Sequence, residues 1–453
     1  MSINIPLPLA FKSAMKTLFS DEADSFFEAL DSQPPVSIRY NPTKSVAPKL
    51  DEIPWTKTGE YLPVRPVFTL DPAYHTGAYY VQEASSMLIQ NALDQLDFSE
   101  HKHLTILDLC AAPGGKSTLL AQQFPDNSLL VCNEIIKSRA PILKENLTRW
   151  GYPNVVVTSV DSSVFANAPS LFDIILVDAP CSGEGMFRKD PAARNEWSEN
   201  NVQLCAARQK KILSAIETAL KPGGILLFST CTYNDSENID NVNWLTNDFD
   251  FESLKLDFKP EFGVTEIQKN NVFGYQCYPH KVKGEGFFLS VLKKNGTSSD
   301  ENSANVKLKH LQALDKKELS IVSQFIDNQD IEYLKNPINE IFAIAKNNIL
   351  SLSILEKITK VQYISHIGEV KGKDFIPGHF LAMSAFIKHH FESIELTKNE
   401  ALHFLKKENI LLEATQGWYR MTYEGNGLGW AKVLPNRINN YLPKDWRIRM
   451  EIE

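Results

Sequence analysis

At 453 residues the chain exceeds what one hydrophobic core usually organises, so two or three cores are expected. Hydrophobic residues make up 43% and charged residues 23%, with no stretch near the roughly 20 uninterrupted apolar residues of a membrane helix, so no α-helical span is expected. A formal net charge of −8 argues against gripping nucleic acid over the whole surface, and confines any RNA contact to local patches.

The first 26 residues lack the charged start, apolar core and small-residue cleavage site of a secretory signal, which predicts a cytoplasmic protein. Residues 1–100 read as an N-terminal lobe, helical in its opening half and rich in proline and aromatics in its second. From 101 to 293 short aliphatic or β-branched runs alternate with amphipathic stretches, the pattern of an α/β sheet buried on both faces. Strands are predicted at 104–109, 128–133, 155–159, 174–177 and 225–229, and near 251–256 and 286–292. Helices are predicted near 116–124, 137–150 and 201–220. A polar run over 294–307 reads as a linker. Beyond it, residues 308–453 form an extension, helical over 308–357 and ending in a small β-rich module over 417–453.

The six cysteines, at 110, 132, 181, 205, 231 and 277, show neither the CxxC pairs of a zinc site nor disulfide density. Free thiols and no metal are expected. Basic residues gather in three places: Arg188, Lys189 and Arg194; Arg208, Lys210 and Lys211; and Lys432, Arg437, Lys444, Arg447 and Arg449.

Cys110, Ala111, Ala112, Pro113, Gly114, Gly115 and Lys116 stand where the first buried strand turns into a helix, and small residues there let backbone approach a ligand. A phosphate-binding GxxxxGK[ST] loop is disfavoured because Cys110 occupies its first glycine position. Glu134, Asp161 and Asp178 follow three successive strands, which places carboxylates along the ligand-binding edge of one sheet. S-adenosylmethionine or a nicotinamide nucleotide would both satisfy that arrangement.

Asp178-Ala179-Pro180-Cys181-Ser182-Gly183 leaves the fourth strand and Ser229-Thr230-Cys231 leaves the fifth, so two cysteines emerge beside the cofactor turn. A thiolate there can add to C6 of a pyrimidine, which makes C5 nucleophilic towards a methyl donor; a base must then remove the C5 proton before the thiol is eliminated.

These motifs resemble the Nol/Nop/Sun family of RNA cytosine-5 methyltransferases, and the resemblance extends to residues 37–42, 77–87 and 278–288. It implies a Rossmann-like class I methyltransferase sheet with an N-terminal α/β lobe, S-adenosylmethionine as cofactor, and Cys231 as the nucleophile. Cys181 would assist proton removal or product release, Asp178 would bond the cytosine N3 and amine, and Lys116 would stabilise developing charge. Residues 110–116, Glu134, Asp161 and Asp178 would hold the cofactor. The target cytosine would be flipped or unpaired. Residues 375–383 and 427–432 resemble the bacterial ribosomal-RNA branch with its C-terminal α+β, PUA-like RNA-binding extension. That favours 16S rRNA over tRNA as partner, with a monomer as the default. The rival classes are a noncatalytic ribosome-assembly scaffold and a nicotinamide oxidoreductase.

Overall fold

The computed structural model describes residues 5–45, 51–125, 128–297, 307–327 and 330–452. Its centre is a ten-stranded sheet. Five strands run parallel: β1 (Leu104–Asp108), β2 (Ser128–Asn133), β3 (Val155–Thr158), β4 (Phe172–Asp178) and β5 (Leu220–Thr230). Then come β6 (Phe251–Ser253), β7 (Thr265–Lys269), β8 (Val272–Cys277), β9 (Phe287–Lys294) and β10 (Gln362–Tyr363). The spatial order is β7-β8-β9-β5-β4-β1-β2-β3-β10, with β6 on β9. The core of this order, β3-β2-β1-β4-β5, is Rossmann-like, and α1 (Gly115–Gln123), α2 (Ala140–Trp150) and α3 (Glu199–Glu217) are crossovers within it.

The parallel strands are buried on both faces, which is why they read as unbroken aliphatic runs: Ile106, Leu107, Val131, Ile175 and Leu176 are all closed to solvent. Pro141 stands in the first turn of α2, where a missing N–H costs nothing, and the Ser198 side chain caps α3. The hairpin β7–β8 was not foreseen; its exposed outer strand, Thr265-Glu266-Ile267-Gln268-Lys269, carries too little apolar content to announce a sheet.

The polar run expected as a linker from 294 starts later. Lys294 is the last residue of β9, paired with Phe251, and its ammonium donates to the Glu217 and Leu220 carbonyls while pairing with the Glu217 carboxylate. Residues 298–306 of that expected linker lie outside the described residues. The helical expectation for 308–357 is also corrected. Among the described residues of that span only Lys316–Val322 and Ile349–Ile358 are α-helical, and the strands Ile331–Lys335 and Glu340–Ala345 form a hairpin between them. Its turn explains the difference: Pro337 interrupts any helix, Asn339 takes φ +65°, and the Asn336 side chain accepts from the amides of Ile338 and Glu340.

The extension is not strung on beside the catalytic sheet but continues it, because β10 pairs antiparallel with β3. Its last module sets helix Lys398–Leu405, with a Thr397/Glu400 capping box, against a sheet of Glu392–Glu395, Gly417–Tyr423, Asn426–Leu434 and Arg437–Asn440. A half-buried lysine ties three parts of the chain together. Lys44 donates to the carbonyls of Thr76 (2.7 Å) and Arg149 (2.5 Å), and its own carbonyl accepts from Asn426.

Backbone contact is equally close at Gly427, where a Cβ would stand 1.9 Å from the Ala382 carbonyl oxygen. Gly427→Ala is expected to destabilise the C-terminal module by about 1–3 kcal/mol through overpacking. Differential scanning calorimetry checks this, and an unchanged melting profile would contradict so tight an approach.

Candidate active site

The cofactor turn is held from outside itself. Leu109 N–H donates to Leu176 and Ala111 N–H to Asn133, which fixes the turn across β4 and β2. Arg139 Nη2 donates to the Ala112 carbonyl (2.6 Å) and Asn146 to that of Pro113 (2.8 Å). Gly114 carries φ +115° at the start of α1, a conformation L side chains rarely adopt, and its position receives no capping side chain.

Above this turn lies a cavity of about 300 Å³ lined by Cys110, Ala111, Ala112, Pro113, Gly115, Lys116, Asp178 and Cys231. Eight of the predicted site residues therefore converge. The N-terminal lobe completes the wall with Tyr80, Gln82 and Glu83, a contribution foreshadowed only by the resemblance over 77–87. Glu134 is buried; its carboxylate accepts from the Ile136 amide at 2.8 Å and faces Arg139 at 3.3 Å. Asp161 is exposed and caps the turn after β3, accepting from Ser163 N–H and Oγ.

The reactive groups form two pairs. Lys116 Nζ meets Asp178 Oδ2 at 2.8 Å, while Ser229 Oγ donates to Asp178 Oδ1 at 2.8 Å. Burial alone would lower the Lys116 ammonium, but the Asp178 charge and hydrogen bond hold it above its ordinary value. Cys181 Sγ and Cys231 Sγ stand 3.2 Å apart. The hydrogen bond to Cys231, reinforced by burial, pushes the Cys181 thiol well up, so it stays protonated at neutral pH. Burial likewise raises the thiol of Cys110.

Two further findings depart from expectation. Arg188 and Arg194, two members of a basic cluster that is a candidate for local RNA contact or for plain surface, are interior fasteners. Arg188 pairs with Glu285, both side chains being 5% exposed, and Arg194 donates to the Ile5 and Leu30 carbonyls and to Asp31. These partners come from distant parts of the chain, which a local basic cluster cannot reveal; Lys189 alone of the three lines the cavity. Asp108, not singled out as a site residue, ends β1 fully buried with Ser117 Oγ donating to its Oδ2 at 2.6 Å.

The sheet order, the turn at the end of β1 and the acidic edge define a Rossmann-like cofactor-binding fold, and the family models that match it are those of methyltransferases. A family model described as 16S rRNA methyltransferase RsmB/F matches residues 95–293. Models for the N-terminal domain of 16S rRNA methyltransferase RsmF and for the methyltransferase RsmF PUA domain match 7–84 and 391–448. Ribosomal RNA small subunit methyltransferase F of Shewanella loihica is 31% identical over 414 residues, covering 88% of this chain and 84% of that protein. The Vibrio vulnificus protein of the same name is 30% identical over 475 residues, 98% of each chain. The chain belongs to the ribosomal RNA small subunit methyltransferase F family. Among solved structures, a methyltransferase homolog protein from Pyrococcus horikoshii superposes with TM-score 0.54 at 27% identity, covering 64% of this chain and 97% of that one.

Burial pushes Asp108 up to about 7, against about 3.9 for an unfolded aspartate. Between those values the folded chain binds the extra proton, so this residue's contribution to stability is fully present below about pH 4 and lost as pH rises through about 7. Asp108→Asn is expected to remove that dependence. Melting temperatures at pH 5 and 8 should show the parent losing stability relative to the variant on going to pH 8, and parallel behaviour would refute the assignment.

Proposed function

We propose that the chain is an S-adenosylmethionine-dependent RNA cytosine-C5 methyltransferase acting on 16S rRNA through a covalent bond from Cys231 Sγ to cytosine C6. The observation that carries this reading is that Cys231 lines the cavity bounded by the cofactor turn together with the Lys116–Asp178 pair, with a second thiol, Cys181, 3.2 Å behind it and outside the cavity lining.

The residues present fit the cofactor. The uncapped first turn of α1 offers backbone N–H groups to a carboxylate, Glu134 stands at the end of β2 where ribose hydroxyls are held in such folds, and Asp161 and Asp178 extend the acidic edge. Asp108 Oδ1 is buried without a hydrogen-bond partner among the described residues, an orphaned polar atom below this turn. S-adenosylmethionine, when bound, supplies an electrophilic methyl group.

The protein's own groups do the rest. Cys231 adds as thiolate to C6, and the electron pair displaced from the C5–C6 bond makes C5 nucleophilic. Lys116 and Asp178, held together, offer a donor and an acceptor to the base, and a positioned cation stabilises the negative charge that addition creates. After C5 is methylated its proton passes to a base and the C5–H electron pair expels the Cys231 sulfur from C6; the Cys181 thiol, held protonated beside that sulfur, assists by donating a hydrogen bond to the departing thiolate. The lobe over 1–100 and the extension over 308–453 serve as RNA-binding supports for a flipped cytosine.

Incubation with labelled S-adenosylmethionine and rRNA or tRNA from a strain lacking the protein tests the reading by nucleoside analysis. Label as 5-methylcytosine in rRNA is expected, label in tRNA moves the substrate, and no label in either favours a scaffold. Cys231→Ala should abolish transfer, whereas Cys181→Ala should trap enzyme on RNA as a denaturation-resistant complex; equal activity in both variants overturns the paired-thiol roles.

A further inference from the structure

We infer that Glu184 and Glu237 are positioning residues that form a crossed brace setting the separation of Cys181 from Cys231. The inference rests on the proposed roles of the two thiols and concerns what holds them. Both glutamates are shut away from solvent, at 1% and 0% exposure, and each reaches across to the other cysteine's loop. Glu184, three residues after Cys181, accepts through Oε2 from Thr232 Oγ1 (2.7 Å), Tyr233 N–H (2.9 Å) and Asn234 N–H (3.1 Å), the turn directly after Cys231. Its Oε1 accepts from Trp197 Nε1 at 2.9 Å. Glu237, six residues after Cys231, accepts the Ser182 amide at 3.0 Å and Gln209 Nε2 at 2.9 Å through Oε2, and Asn234 Nδ2 at 2.8 Å through Oε1.

The backbone closes the same gap. Gly185 N–H donates to the Cys231 carbonyl at 2.8 Å, and a Cβ at Gly185 would stand 2.7 Å from that oxygen. Among the described residues every donor to the two carboxylates is neutral, so neither is accounted for there as half of an ion pair. A buried carboxylate accepting several N–H and O–H bonds fixes a loop because losing it strands those donors. An amide at position 184 would turn an NH₂ group towards N–H or O–H donors on one side or the other, so Glu184→Gln keeps the shape and breaks the brace.

The test uses the full-length protein and two readouts. Diamide oxidises neighbouring thiols, taking two electrons and two protons to become a hydrazine while the sulfurs join, and peptide mapping measures the Cys181–Cys231 disulfide. Glu184→Gln should slow that oxidation at least about 10-fold and lower kcat for methyl transfer on the order of 100-fold, with the Kd for S-adenosylhomocysteine within about 2-fold of the parent. Glu237→Gln should act the same way. Unchanged oxidation and kcat in variants that bind S-adenosylhomocysteine overturn the brace, as does a kcat loss matched by an equal loss of that binding. If Glu184→Gln does not bind it, Thr232→Val, which removes one donor, should give a loss on the order of 5-fold in both rates, and parental rates there overturn the proposal. A parent that forms the disulfide but neither methylates RNA nor is trapped on it counts against the proposed function and leaves the brace standing.

Discussion

The site depends on one constraint of register. In the parallel ladder Asp108 lies beside Leu176 and Cys132, and Asp178 beside Ser229, so β1 and β2 end near one level of the sheet and β4 and β5 run a couple of residues beyond it on the same edge. Each strand hands its next few residues to a common edge: Cys110 to Lys116 from the first, Glu134 from the second, Cys181 from the fourth and Cys231 from the fifth. A slip of one residue in β5 would move Cys231 by more than 3 Å and turn alternate side chains to the opposite face. The hydrophobic burial that holds β5 between β4 and β9 is therefore also what sets the distance between two sulfur atoms.

An acidic protein that handles RNA spends several of its cations indoors. Arg39 is fully buried, donating to Gln82 at 2.8 Å, Thr118 at 2.5 Å and Gln122, with its guanidinium 4.6 Å from the Trp150 ring. Burial pulls it down to about 9, yet at neutral pH it remains charged, joining the N-terminal lobe to α1 through neutral oxygens and an aromatic face. Lys44, Arg188 and Arg194 play comparable parts at other seams. The lobes are thus fixed to the catalytic domain by directional hydrogen bonds as well as by the apolar cluster of Phe11, Phe26, Phe187 and Tyr233. The loop bearing Arg188 joins the two, giving Phe187 to that cluster and Met186 and Lys189 to the cavity wall.

How much of this was legible in the sequence follows from how local each signal is. The five parallel strands and three helices stood out because burial on both faces gives continuous aliphatic runs and because capping and crossover lengths are local. The cofactor turn and both cysteine motifs were legible for the same reason: each is a contiguous run at the end of a strand. What escaped was encoded in pairs far apart along the chain. Arg188 reads as a surface cation until Glu285 is set against it, 97 residues on. Glu184 reads as a loop acid until Thr232 and its neighbours fold over it. The hairpin at 331–345 was hidden by a mixture of apolar and polar residues that either periodicity could claim, with Pro337 the one discriminating mark.

The pairing of β10 with β3 bears on the order in which the protein can be made. Synthesis runs from the N-terminus, so β1 to β5 and β9 emerge before residues 362–363 exist, and until then β3 presents the unpaired N–H and C=O groups of an edge strand. The catalytic sheet acquires its last neighbour only after a further 68 residues beyond Lys294 have left the ribosome and begun to fold. The edge of β3 therefore stays open during synthesis for longer than it would in a domain whose edge strands all lie close together in the chain.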